Sequence, residues 1–323
     1  MTSNATIAAL SALTLAGLAA PAMAETVLIG TQFSSILAYD TETGDVSFRG
    51  FCAGPVDSMT AMGDTLYLGD DFGQIYSFDL NTNQLVGSFP VAGDAAAMTN
   101  DGASLLVGDT AGEIQKIDPG TGAVLDSVQV NSFSLTSLGV HWGNLYHGGL
   151  STVAERAPLT GAFEPGAFDL FAVCGGAINS MTFAGIDVVL GATNGSIYRY
   201  DEFNGTYANV HFVGVDAVGI AALTGGRVLV ADSSGTLLEI DIETGDVLRE
   251  TDAGEPIGAL LALDVGEACP TDLDLSGVLD LGDVQLFIML AIQGRGGADL
   301  NGDGAIDLTD VGMFAAGFNA GCD

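Results

Sequence analysis

Asp272, Asp274, Ser276, Val278, Asp280 and Asp283 stand at positions 1, 3, 5, 7, 9 and 12 of one short loop, with Gly277 at position 6. A second copy begins 27 residues later, where Asp299, Asn301, Asp303, Ala305, Asp307 and Asp310 hold the same positions around Gly304. Calcium takes six to eight oxygen ligands, and alternate residues of a tightly wound loop can all point inward. Position 7 offers a backbone carbonyl, so Val278 and Ala305 are acceptable there. Position 9 often binds through water, position 12 gives a carboxylate from the start of a helix, and Gly at position 6 permits the sharp turn. These twelve residues are the candidate ligands of two calcium ions.

Other reactive side chains form less definite patterns. Cys52 and Cys174 share matching surroundings, Cys-Ala-Gly before Ser58-Met59-Thr60 and Cys-Gly-Gly before Ser180-Met181-Thr182, at an offset of 122 residues. Either a disulfide between them or two buried thiols fits that match. His141 and His147 flank Trp142 and Tyr146, and with His211 they read as ordinary strand and turn residues. No G-x-S-x-G, H-E-x-x-H or phosphate-binding loop is present, and among 41 acidic residues no pair for glycoside hydrolysis can be singled out.

The calcium loops lead into two helix-compatible apolar segments, residues 284–292 and 311–318. The chain before them repeats with a period near 40. Tyr39-Asp40 precedes Thr43-Gly44, Phe78-Asp79 precedes Thr82-Asn83, and Ile117-Asp118 precedes Thr121-Gly122. Tyr200-Asp201 precedes Asn204-Gly205, and Ile240-Asp241 precedes Thr244-Gly245. A degraded sixth copy has Thr160-Gly161, with Ala157 in place of the Asp. Each unit holds about four short strands, the signature of a propeller blade. The phase supports ring closure: residues 27–29 form a second strand, and residues 258–263 are an isolated first strand able to complete that blade. The expected fold is mainly β, a six-bladed propeller (five to seven as the range), followed by a small duplicated helical module. The repeated Asp and Gly residues read as turn formers.

The repeats resemble those of quinoprotein-like and YVTN-like propellers over about 240 residues. Those quinoproteins carry a repeated tryptophan; here Trp142 is the only one, so a quinone cofactor is not expected. The duplicated loops resemble a type I dockerin over residues 269–323, which likewise has Asp at position 12, and more closely the GC-type dockerin subgroup of exported bacterial proteins. That resemblance implies two calcium ions, calcium-dependent folding and docking to a cohesin. Positions 10 and 11 here are Leu281-Gly282 and Leu308-Thr309, and Arg295 is the one basic residue, so a divergent anchoring partner is expected rather than a cellulosomal cohesin. Because dockerin termini lie close together, the resemblance also implies a disulfide between Cys269 and Cys322, worth about 4 kcal/mol in the chain-entropy view.

Composition bounds the remaining choices. The chain has 323 residues, 48% hydrophobic, with 46 Gly and 8 Pro, as many short strands and tight turns require. With 7 basic residues and a net charge of -34, nucleic acid and anionic membranes are poor partners. Residues 6–20 and the Ala22-Met23-Ala24 site read as a secretory signal, giving a signal peptide over 1–24, a propeller over 25–266 and a dockerin-like module over 267–323. No transmembrane segment is expected in the mature chain, which would be secreted or attached to the cell surface. Two functions follow: a non-catalytic propeller for binding or scaffolding, tethered by its tail and with a glycan among its candidate ligands, or a polysaccharide-degrading hydrolase or lyase.

Overall fold

The structure is a computed structural model that describes residues 26–130, 134–150, 152–164, 166–185, 187–201, 205–214, 216–263, 271–273, 279–294, 296–300 and 305–321. It is mainly β: a six-bladed propeller followed by two helices. Blade 1 contains β1 (Thr26–Thr31), β2 (Ser35–Asp40) and β3 (Val46–Phe51). Blade 2 is β4 (Ser58–Met62), β5 (Thr65–Gly69), β6 (Gln74–Asp79) and β7 (Gln84–Pro90). Blade 3 is β8 (Ala97–Asn100), β9 (Leu105–Gly108), β10 (Glu113–Ile117) and β11 (Val124–Gln129). Blade 4 is β12 (Leu135–His141), β13 (Asn144–Gly149), β14 (Val153–Pro158) and β15 (Asp169–Val173). Blade 5 is β16 (Ile178–Ala184), β17 (Asp187–Ala192), β18 (Ser196–Asp201) and β19 (Thr206–Phe212). Blade 6 is β20 (Ala217–Leu223), β21 (Arg227–Asp232), β22 (Thr236–Asp241) and β23 (Val247–Asp252). The last strand, β24 (Ile257–Leu263), returns to blade 1 and pairs antiparallel with β1, Leu28 opposite Leu261. That pairing closes the ring and leaves β1 no free edge.

The sequence pattern explains the layers of each blade. The second strands are continuous apolar runs such as Val-Val-Leu-Gly-Ala, and β17 is buried along its whole length. Outer strands such as β7 and β11 are largely exposed and carry polar residues. The innermost strands β4, β8, β12, β16, β20 and β24 stand side by side around the axis. Small hydroxyl residues on them join neighbouring blades: Ser58 Oγ donates to Ala95 O at 2.6 Å and Ser180 Oγ to Ala217 O at 2.9 Å. These two bonds are related by the 122-residue offset of the cysteines, so the three-blade repeat holds at the level of single contacts.

Turns follow the repeated Asp residues. Asp40 Oδ1 accepts from Glu42 N and Thr43 N at 2.9 and 2.8 Å, and Asp241 Oδ1 from Glu243 N and Thr244 N at the same distances. Asp79 and Asp118 do the same in blades 2 and 3. These backbone bonds hold Asp40, Asp79 and Asp241 below the usual carboxylate range. In blade 4 the degraded copy, residues 159–161, forms a short 3-10 turn instead, because Ala157 offers no carboxylate. Gly73 is required where it stands: φ is 76°, and a Cβ would lie 2.1 Å from Gly93 O.

Lys116, Arg199, Arg227 and Arg249, four of the seven basic residues, sit against largely buried carboxylates. In blade 5, Arg199 Nε meets Asp187 Oδ2 at 2.6 Å. In blade 6 the equivalent positions, 40 residues on, carry the opposite charges, and Arg227 pairs with Glu239. Glu239 also reaches blade 1. Tyr39 Oη donates to it at 3.4 Å, Arg249 Nη1 lies 3.8 Å away, and the Arg249 guanidinium donates to Thr41 O at 2.9 Å. A buried charge is tolerated only with such partners.

The helices are α1 (Leu281–Gln293) and α2 (Leu308–Ala320). Both begin three residues before the apolar segments expected from sequence. Asp280 and Asp307, at loop position 9, act as N-caps, and each forms a capping box with the Asp three residues on. No helix among the described residues is long and apolar enough to cross a membrane.

Candidate metal centre and propeller rims

The two loops deliver equivalent side chains to equivalent places. Asp283 and Asp310 are each 0% exposed. Asp283 accepts from Leu273 N at 2.8 Å and Asp280 N at 2.9 Å; Asp310 accepts from Leu300 N at 2.9 Å and Asp307 N at 2.8 Å. The N-cap dihedrals also agree, with φ -139° and -138° and ψ -166° in both copies. The copies then pack on each other. Phe287 and Phe314, again 27 residues apart, stack at 4.3 Å between ring centroids. Leu273, Leu286, Leu290 and Ala298 complete this small core.

Of the twelve candidate ligands, Asp272, Asp280, Asp283, Asp299, Ala305, Asp307 and Asp310 belong to the described residues, with Asp272 buried beside Leu273. Asp274, Ser276, Val278, Asn301 and Asp303 lie outside them, as do Cys269 and Cys322. Among the described residues no group of three or more His, Cys, Asp or Glu side chains is assembled as a metal site. The donors present nevertheless suit a hard cation. They are carboxylates and a carbonyl, without thiolate or imidazole, and two carboxylates are buried at the position where the calcium pattern needs them.

Cys52 and Cys174 are free buried thiols, which corrects the disulfide alternative for this pair. Cys52 packs with Val56, Leu68 and Tyr76, and Cys174 with Tyr146, Leu190 and Tyr198, in separate clusters. Burial raises both above the usual thiol range, so neither is a reactive thiolate.

His141 and His147 lie in strands β12 and β13. His147 is fully buried, with Glu155 Oε2 3.4 Å from Nε2 but without hydrogen-bond geometry, and the Phe168 ring edge-on at 4.7 Å. Burial lowers its pKa to about 4. His141 stacks between Trp142 and Phe183, at 4.4 and 4.6 Å, and its Nε2 lies 2.9 Å from Gly185 O. Burial lowers its pKa to about 4 as well. Both are neutral structural groups at pH 7.

One rim gathers aromatics and carboxylates. Phe33, in the turn between β1 and β2, is 65% exposed, and Phe72, between β5 and β6, is 75% exposed. Asp57, in the connection from β3 to β4, accepts from Gln32 Nε2 at 2.9 Å, while its Oδ2 is buried without a partner. Burial raises its pKa; the Gln32 bond opposes this, and Asp71 and Asp70 add to it. Sequence reasoning could not pick Asp57 from the other acids, because its burial arises from a between-blade connection.

A family model described as outer membrane protein assembly factor BamB matches residues 4–138, less than half of the chain. No curated protein matches. Among solved structures, a chain of the nidogen/laminin complex is similar with a TM-score of 0.63 at 11% identity, covering 74% of this chain and 98% of that one. The computationally designed Ika8 protein gives a TM-score of 0.47 at 19% identity, covering 74% and 75%. At these identities the structural likeness is one of fold, and over residues 4–138 the repeats are similar to those of the BamB family.

Proposed function

We propose that this chain is an exported protein whose C-terminal helical pair binds two calcium ions and tethers a non-catalytic propeller to a cohesin-like or other anchoring protein. The observation that carries this reading is the duplicated burial of Asp283 and Asp310, each anchored by two backbone N–H groups beside a capped helix. A bound cation would neutralise carboxylates that otherwise repel one another in a small module. Asp272, Asp274, Ser276, Asp280 and Asp283 would hold one ion with the Val278 carbonyl. Asp299, Asn301, Asp303, Asp307 and Asp310 would hold the other with the Ala305 carbonyl. The family matched by residues 4–138 is named for an assembly factor, which supports a binding or scaffolding propeller.

The exposed Phe33 and Phe72 beside Asp57 favour one second reading, a polysaccharide-degrading hydrolase or lyase with Asp57 as proton donor. The intact mature chain, incubated with a panel of polysaccharides in calcium, separates the two. Binding without released reducing ends is expected. Release that Asp57→Asn abolishes would replace the scaffold by the enzyme.

A further inference from the structure

The innermost strands fix where the helical pair must lie. Leu263 pairs with Thr26 at the end of β24, as His141 pairs with Asn144 at the end of β12. Both strands therefore finish on the same face of the ring. Around the axis, β24 stands between β20 and β4, and β12 between β8 and β16, so blades 1 and 4 face each other across the channel. The chain leaves the propeller after Leu263 in blade 1. Yet the core of the helical pair packs on Trp142, in the β12–β13 turn of blade 4.

The contact is built on both sides. Trp142 has φ 45°, a conformation that a bulky residue holds only when its surroundings impose it. His141 stacks beneath it, and Asn144 Nδ2 donates to Trp142 O at 3.1 Å. Opposite, Gly297 is buried, and a Cβ there would lie 2.9 Å from Trp142 Cε2 and Nε1 and 3.0 Å from Leu290 Cδ1. Only glycine leaves room for the indole.

We propose that the helical pair is a lid seated across one mouth of the propeller channel, with Trp142 as its latch. The propeller then meets ligands at its opposite face, which carries Phe33, Phe72 and Asp57. This arrangement is independent of whether calcium fills the loops.

Trp142 is the only tryptophan, so its fluorescence reads the latch alone. In the intact mature chain, its emission should be shielded from acrylamide. Gly297→Val should raise the quenching constant several-fold, whether the module swings away or unfolds, because either uncovers the ring. Hydrogen exchange in the same variant should rise at residues 141–144 and stay unchanged in the opposite turns, residues 70–73 and 232–235. Unchanged quenching would overturn the latch. A rise in exchange on both faces would overturn it too, since the substitution would then have loosened the whole ring.

Discussion

Replacing Glu239 tests how the ring is closed. Its side chain is 5% exposed and lies between Arg227, Arg249 and Tyr39, linking blade 6 to blade 1. Removing one partner of a buried ion pair costs about 3–5 kcal/mol when the other charge stays buried. Here the arginine side chains are 25% and 34% exposed, so both can turn towards water after the loss. Glu239→Ala should therefore cost near the lower bound, about 3 kcal/mol. Glu239→Gln, which keeps the hydrogen-bond acceptor but loses the charge, should cost about half of that. For a domain of this size 3 kcal/mol lowers the melting temperature by about 6–12 °C. Urea and thermal unfolding followed by sheet circular dichroism measure both variants. The loss should persist at 1 M salt, because a buried pair is poorly screened. A Glu239→Ala chain within about 0.5 kcal/mol of the parent would refute the clasp, since that is the range of ordinary surface substitutions.

Further outcomes follow from other sites. Gly73→Ala should cost more than 1 kcal/mol in urea unfolding, because it adds a methyl 2.1 Å from Gly93 O at a φ of 76°. His147 titrates near pH 4 when folded and at 6.5 when unfolded. The unfolded chain therefore binds more protons in between, and stability is full above pH 6.5 and falls as pH drops towards 4. That one residue accounts for roughly 3 kcal/mol across the window, and His147→Gln should flatten the curve there. Asp187, raised to about 6 by burial despite Arg199, acts in the opposite sense: its protonation below pH 6 relieves the folded state. Asp187→Asn should therefore steepen the acid loss measured by unfolding at pH 4–6.

Much of this architecture was legible in the sequence because it is local. The aromatic-Asp-x-x-T-G pattern encodes a turn within a few residues, and its phase foretold the pairing of β24 with β1. The calcium-loop spacing likewise located both helices. The helices start three residues before the apolar segments because Asp280 and Asp307, at loop position 9, also cap them. Non-local contacts were not legible. Tyr39 and Glu239 are 200 residues apart, and nothing near either announces the other. The contact of Trp142 with Gly297 was not legible either, because the two are 155 residues apart in the chain. The cysteine match was real, but it recorded a three-blade repeat with each thiol inside its own cluster.

The helical pair is proposed to bind calcium. Isothermal titration of the intact chain with calcium, after removal of divalent ions, tests this most directly. Two ions per chain are predicted, with one lost in Asp283→Ala, the other lost in Asp310→Ala, and a gain of helical circular dichroism on binding. No heat and no change in helicity at millimolar calcium would contradict it.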